Sequence, residues 1–122
     1  MGDAISIIQI FKEKTLTAGA SDYFEINLER ENANGYFSLH IEVTDLTGTL
    51  KCELNLSNSG VNFVEPTGST DIFSTFGVTS GPGANGIDIY SFEPELAKFI
   101  RIVMTEDGSA QSVKFDAWLA IQ

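Results

Sequence analysis

Apolar and polar side chains alternate along most of this chain with a period of two residues. Residues 24–28 (FEINL), 37–43 (FSLHIEV) and 50–56 (LKCELNL) each place an apolar side chain at every second position. Because successive side chains of a β-strand point to opposite faces, each run has one face for a core and one for water. No segment shows a sustained helical period, so the pattern predicts an all-β domain.

Turn residues divide the alternating pattern into about eight short strands. The eight predicted strand segments are residues 5–11, 23–28, 36–44, 49–57, 61–64, 87–92, 99–105 and 113–121, and residues 67–79 could hold a further strand with ragged edges. Asp45-Leu46-Thr47-Gly48 is a tight-turn sequence, so we predict that the strands on either side of it pair as a hairpin. Residues 99–105 are apolar on both faces and are expected at the centre of a sheet. The sequence EPELA at 93–97 is compatible with one helical turn that starts at Pro94.

Strands of this number and spacing predict an antiparallel β-sandwich. We favour a jelly-roll-like arrangement over an immunoglobulin-like sandwich, although periodicity does not separate the two. The length of 122 residues predicts a single domain over residues 1–122. Within it, residues 1–14 are open to two interpretations, a strand of the sandwich or an N-terminal arm that reaches a neighbouring subunit.

The chain is acidic, with 17 Asp and Glu against 7 Lys and Arg and a net charge of −10. This charge disfavours nucleic acid, which proteins bind largely by neutralising phosphates, and it disfavours an anionic membrane surface. The N-terminal sequence lacks the basic start and long apolar stretch of a signal peptide. No apolar run is long enough to span a bilayer. We therefore expect no nucleic-acid or membrane partner, no signal peptide and no transmembrane segment.

The residues that usually carry catalysis are few. Cys52 is the only cysteine, so a disulfide within the chain is excluded, and its position on the apolar face of its strand predicts a small buried side chain. His40, the only histidine, falls on the polar face of its own strand, and a zinc site needs three or four such ligands. The carboxylates are scattered and start no recognisable calcium-binding series. We predict no catalytic residue, no cofactor and no metal site.

Two features are candidates for binding. Trp118, Tyr36 and Tyr90 are aromatic residues that could stack on sugar rings, so a glycan partner stays open. The glycine-rich sequence SGPGANG at 80–86 lacks the Lys and the Ser or Thr of a phosphate-binding loop. It is interpreted as a connector that uses positive φ angles, or as a loop that becomes ordered against a neighbouring subunit.

Two segments resemble parts of discoidin-type, galactose-binding-like jelly rolls. SNSGVNFVEP at 57–66 resembles a strand–turn–strand of that fold, and ELAKFIRIVMTED at 95–107 resembles one of its later strands. The resemblance implies that Phe63 is an aromatic core anchor and that 99–105 is a central strand. It also implies an alternative function as a carbohydrate-binding module, although the chain lacks the cysteine pair of that family.

The chain as a whole resembles small virion proteins of tailed bacteriophages. The segments that carry this resemblance are GYFSLHIEVT (35–44), SNSGVNFVEP (57–66), SGPGANGIDIYSF (80–92), ELAKFIRI (95–102) and KFDAWLAIQ (114–122). It implies a non-enzymatic structural protein of the virion, and we expect a capsid decoration (cement) protein that stabilises the particle through multivalent contacts. A tail or head–tail component is the alternative within the same class.

The expected partners are other copies of the chain, in a homo-oligomer such as a trimer, and virion proteins such as the major capsid protein. Contacts are expected at the N-terminal apolar segment and at the glycine-rich loop. The predicted interface residues are Ile5, Ile7, Ile8, Ile10, Phe11, Gly81, Pro82, Gly83, Asn85 and Gly86.

Overall fold

The computed structural model describes residues 5–28, 35–45, 48–66, 71–76, 86–94, 97–107 and 111–122. These residues form eight strands in two four-stranded sheets, in which every paired strand is antiparallel to its neighbour. The strands are β1 (Ser6–Leu16), β2 (Ser21–Asn27), β3 (Phe37–Asp45), β4 (Leu50–Ser57), β5 (Phe73–Phe76), β6 (Ile87–Phe92), β7 (Phe99–Glu106) and β8 (Val113–Ile121). Sheet A has the strand order β1-β8-β3-β6, and sheet B has the order β2-β7-β4-β5.

The strand order identifies the sandwich as a jelly roll. All consecutive strands except β4 and β5 lie in different sheets, so the chain crosses repeatedly from one sheet to the other. Eight strands wound in this way into two sheets define the jelly-roll architecture, whereas immunoglobulin domains keep several consecutive strands in one sheet. The predicted antiparallel, jelly-roll-like sandwich is therefore confirmed, and the immunoglobulin-like alternative is wrong.

The predicted hairpin on either side of the turn at 45–48 is wrong. β3 pairs with β8 and β6 in sheet A, while β4 pairs with β7 and β5 in sheet B. The two strands bury their apolar side chains in the same core, but from opposite sheets. Alternation specifies which face of a strand is buried, but it does not specify which strand lies beside it.

The core lies between the two sheets and is filled from alternate positions of each strand. β7 and β8 show strict alternation of buried and half-buried residues, and both occupy inner positions in their sheets. The central position predicted for residues 99–105 is confirmed. Fully buried side chains from sheet A include Leu39, Ile41, Phe115 and Leu119, and those from sheet B include Leu50, Ile100, Ile102 and Met104.

The N-terminal segment forms β1, an edge strand of sheet A that is interrupted by β-bulges. Its register against β8 shifts between Gln9 and Phe11 and again between Phe11 and Lys14. The first shift turns two consecutive residues, Ile10 and Phe11, into the core, where each is 7% exposed. At the second, Glu13 adopts a positive φ of 46°, and its backbone N–H donates to Asp116 Oδ1 over 2.7 Å. Such bulges bend an edge strand and re-aim its side chains.

Several shorter predictions also have an outcome. Residues 61–64 form no full strand; Val64 makes one isolated bridge to Leu56 with two backbone hydrogen bonds of 2.8 and 2.9 Å. Within 67–79, the described strand is β5, and the predicted helical turn at 93–97 includes residues outside the described part. No helix long and apolar enough to cross a bilayer occurs among the described residues.

Candidate interaction surface

Three rows of side chains run across the strands on the outer face of sheet A, as the pairing registers define. The serine row, at one end, consists of Ile7, Ala120, Ser38 and Ser91. The ring row, next to it, consists of Gln9, Trp118, His40 and Ile89. The acidic row consists of Asp116, Glu42 and Ile87. Beyond this third row lie Lys114 and Glu13, whose charged groups are 4.0 Å apart and offset each other.

The first two rows carry no formal charge when His40 is neutral, although the chain carries −10. Three large aliphatic side chains are strongly exposed at the two edges of this face. Ile7 is 68% exposed on β1, and Ile89 and Ile87 are 59% and 46% exposed on β6. Exposed apolar side chains that cluster on one face of a small protein indicate a contact surface, whereas scattered ones do not.

Two rings occupy the centre of this face. His40 and Trp118 are cross-strand partners, with ring centroids 5.0 Å apart and planes inclined by 41°. Nε2 of His40 lies 3.0 Å from Oε2 of Glu42, which fixes the imidazole from the acidic row. The pair therefore forms a preorganised aromatic patch between the aliphatic edges.

A groove of about 480 Å³ opens at the serine-row end of sheet A. Its walls combine apolar side chains with few charges, and Tyr36 and Ile5 are 54% and 60% exposed there. The lining residues are Ile5, Tyr36, Phe37, Ser38, Ser91, Phe92, Glu93, Ala120, Ile121 and Gln122. The rings of Phe37 and Phe92, two of these residues, stack with centroids 5.4 Å apart.

The predicted interface residues divide between surface and core. Ile5 and Ile7 are exposed beside the groove, Ile8 is half-buried, and Ile10 and Phe11 are core residues. The last two have no side-chain surface to offer a partner, because the bulge turns both of them inward.

The glycine-rich loop is largely outside the described residues, which include none of Gly81, Pro82, Gly83 and Asn85. Gly86 is described; it is buried, has a φ of 78°, and its carbonyl accepts a 2.8 Å hydrogen bond from the Val43 N–H. The positive φ expected of this segment is thus found at Gly86, where it serves the connection to β6.

The outer face of sheet B has a different character, because its aromatic residues are already stacked on a cation. The Arg101 guanidinium lies 3.7 Å from the ring centre of Phe63 and 4.2 Å from that of Tyr23, and its Nε donates to Glu25 Oε1 over 2.9 Å. Phe63 is therefore half-buried on this outer face, and its assignment as a core anchor is wrong. The serine-rich turn at 57–60 delivers Phe63 to the outside of the sheet, where Arg101 and Phe99 contact it.

Three carboxylates meet near the β4–β5 edge of sheet B. Oxygens of Glu53, Glu65 and Asp71 lie within 4.8 Å of one another, an arrangement that could ligate a cation. A hydrogen bond shared with Glu53 raises the pKa of Glu65, and Lys51 Nζ lies 3.4 Å from Glu53 Oε1. Lys51 thus already offsets part of the negative charge of this cluster.

The remaining candidate residues lie where they cannot act together. Cys52 is fully buried in sheet B, and burial raises the pKa of its thiol well above the ordinary range. His40 lies on the outer face of sheet A, so the predicted inward cysteine and outward histidine are confirmed. Tyr90 points inward from β6, its ring 5.2 Å from that of Phe73, and burial raises the pKa of its hydroxyl. Trp118 and Tyr90 therefore lie on opposite faces of sheet A and cannot stack on one sugar.

Comparisons with known proteins find similarity in structure alone. No protein-family model and no curated protein sequence matches the chain. A chain in the structure of infectious bursal disease virus, Gt strain, superposes over 97% of this chain with a TM-score of 0.54 and 13% identity. A chain of the Gx strain gives a TM-score of 0.43 and 12% identity, also over 97%. This chain spans about a third of those chains, 32% and 31% respectively. At 13% identity, the likeness to the Gt-strain chain shows a shared fold alone.

Proposed function

We propose that this protein is a structural component of a virus particle and acts through protein contacts without catalysing a reaction. Within that class we propose a capsid decoration protein of a tailed bacteriophage, with a tail or head–tail component as the alternative. The observation that carries the proposal is the jelly roll itself, which covers nearly the whole chain and is similar to a chain of a virus structure. The jelly roll is a fold that viral capsid domains use, together with lectins and cupins.

The distribution of surface side chains supports a role in assembly. Ile5, Ile7 and Tyr36 are exposed together beside the groove. The chain has 17 acidic and 7 basic residues, yet these three exposed positions are hydrophobic. We assign the contact with the shell to this groove end of sheet A. Such a contact is small, and many copies on one shell would convert weak single contacts into strong attachment.

The direct test is to locate the chain in particles. Particles produced by the source of this sequence are purified on a density gradient, quantified by mass spectrometry and labelled with gold-conjugated antibody against the chain. We expect many copies per particle and labels spread over the capsid. Labels confined to the tail would select the alternative component, and particles free of the chain would refute the proposal.

A second test addresses the contact residues. The double variant Ile5→Glu/Ile7→Glu places two carboxylates at the groove without touching the core, and Val61→Glu, at a site 79% exposed near sheet B, is the matched control. Each purified protein is added to particles that lack the chain, and the bound fraction is measured by co-sedimentation. We expect at least a tenfold loss for the double variant and full binding for the control. Equal binding of the two variants would contradict the assigned contact.

A further inference from the structure

The outer face of sheet A, of which the serine, ring and acidic rows are the central part, has about the size of one side of a protein–protein interface. β3 has nine residues, and four strands lie side by side, which gives a face of about 30 by 19 Å, on the order of 600 Å² in projection. A standard interface buries about 800 Å² of accessible surface on each partner, and the accessible surface of a corrugated face exceeds its projection. The accessible area of the face is therefore comparable to one side of a standard protein–protein interface.

When two copies of this face are related by one particular two-fold rotation, the rows of one copy lie over complementary rows of the other. A two-fold axis along the ring row would place the acidic row of one copy over the serine row of the other. Asp116 and Glu42 would then face Ala120 and Ser38 of the second copy, and Ile87 would face Ser91. A serine hydroxyl can donate to a carboxylate, so Glu42 would meet a hydrogen-bond donor. Asp116, which already accepts the Glu13 N–H, would meet the uncharged Ala120.

The other face-to-face arrangement is unfavourable. A two-fold axis parallel to the strands would place each row over the same row of the second copy, so that Asp116 would face Glu42 across the interface. Opposed carboxylates repel each other, and desolvation would add to the cost. The charges of the acidic row thus select the axis that runs along the ring row.

We propose that the outer face of sheet A binds a second copy of this chain, through a two-fold axis that runs along Gln9, Trp118, His40 and Ile89. The strands of the two copies are then nearly aligned, as in face-to-face sheet packing, and the interface is isologous. The uncharged rows are where two chains of net charge −10 can approach each other with the least repulsion. This inference does not depend on the proposed function, because it concerns the purified protein alone.

Self-association is measured first by sedimentation equilibrium, for the native sequence, for Ile89→Glu and for the control Val61→Glu. We expect a reversible dimer that strengthens as salt screens the like net charges, and an increase in Kd of at least tenfold for Ile89→Glu alone. A native protein that stays monomeric at millimolar concentration would overturn the proposal. So would an oligomer that Ile89→Glu leaves unchanged, or one that dissociates as salt is added.

A cross-linking measurement tests the axis without depending on the stability of a variant. Residues on a two-fold axis face their own copies, and stacked sheets lie about 10 Å apart, so a bis-maleimide with a spacer of about 8 Å should join two copies of Ile89→Cys. Cys52 is fully buried and does not compete for the reagent. We expect covalent dimers for Ile89→Cys and none for Val61→Cys at the same concentration. Equal yields from the two variants would refute the assigned axis.

Discussion

At the scale of single residues, the burial of Cys52 makes the stability of the protein depend on pH. The thiol lies fully inside the core on β4, and burial raises its pKa. In the unfolded chain the thiol ionises above about pH 8.5, whereas the folded protein retains the proton to higher pH. The thiol's contribution to stability is therefore fully present below about pH 8.5 and is lost as the pH rises towards its folded pKa.

We predict that the native protein loses about 1 kcal/mol more stability than Cys52→Ala between pH 7 and pH 9.5, because each pKa unit is worth about 1.4 kcal/mol. Urea unfolding at the two pH values measures this difference. Tyr90 also titrates above neutrality, but it is present in both proteins and cancels in the comparison. Identical pH dependence in the two proteins would show that the thiol is not shielded.

Gly48 and Gly19 are glycines for different physical reasons, lack of space for a side chain at Gly48 and a positive φ at Gly19. A Cβ on Gly48 would lie 2.5 Å from the carbonyl oxygen of Ser112, whereas a Cβ on Gly19 would meet no atom within 4 Å and only the backbone, at φ +74°, disfavours it. We predict that Gly48→Ala lowers the free energy of unfolding by about 2 kcal/mol and Gly19→Ala by about 1 kcal/mol. Urea unfolding of both variants checks the order, and a larger loss at Gly19 would contradict the steric explanation.

Individual side-chain orientations were only partly predictable from the sequence. The alternation correctly placed Cys52 inside and His40 outside, because both lie in regular strands. It did not show that Ile10 and Phe11 both face the core, because a β-bulge leaves no mark in an apolar run. The resemblance to galactose-binding-like jelly rolls placed Phe63 wrongly in the core, because an aromatic side chain that stacks on Arg101 has the same sequence signature as one in a core.

At the scale of elements, the buried carboxylate of Glu106 joins the ends of several strands. Glu106 lies at the end of β7 and is 1% exposed. Its Oε1 accepts the Gly19 N–H over 3.2 Å and its Oε2 accepts the Thr49 N–H over 3.1 Å. These bonds hold the β1–β2 and β3–β4 connections at one end of the sandwich, where the chain crosses between the sheets.

We predict that Glu106→Gln lowers the free energy of unfolding by about 2 kcal/mol, because an amide supplies one acceptor and turns its NH₂ towards a backbone donor. Glu25→Gln is the control, since Glu25 is 39% exposed and its ion pair with Arg101 contributes less than about 1 kcal/mol. Thermal and urea unfolding of the two variants measure the difference. A loss at Glu106 no larger than that at Glu25 would contradict the structural role.

The bounds of the strands were well predicted from the sequence, whereas the pairing of strands within the sheets was not. Residues 87–92 and 113–121 match β6 and β8 at both ends, because alternation and turn residues are local signals. The error lay in pairing β3 with β4: a short connection suits a hairpin, yet it can equally cross from one sheet to the other. The rows on the outer face of sheet A depend on that long-range register, so the sequence alone did not reveal them.

At the scale of the whole molecule, the two ends of the chain complete a single sheet. β1 pairs with β8, and Tyr36 and Gln122 exchange two backbone hydrogen bonds of 2.9 and 3.2 Å. Every neighbour of β8 is thus far away in the sequence. Long-range pairing of this kind slows folding, because distant segments must meet before their contacts stabilise them.

We predict that deletion of residues 2–11 unfolds the protein, because it removes half of β1 together with the core side chains of Ile10 and Phe11, each worth roughly 1.5–3 kcal/mol. Circular dichroism and a urea titration should show loss of the cooperative transition. The surface variant Ile5→Glu/Ile7→Glu should keep that transition. A truncated protein that still unfolds cooperatively would mean that β1 is dispensable for the sandwich.

The register of β1 against β8 has a practical consequence for engineering. Ser6 and Ile121 are direct partners, so their Cα atoms are roughly 5 Å apart at one rim of sheet A. A foreign peptide joined before Ser6 or after Ile121 would leave the sandwich at the same corner, beside the groove. A linker of a few residues could equally join Ile121 to Ser6, which would allow a circular permutant to be opened in a surface loop elsewhere.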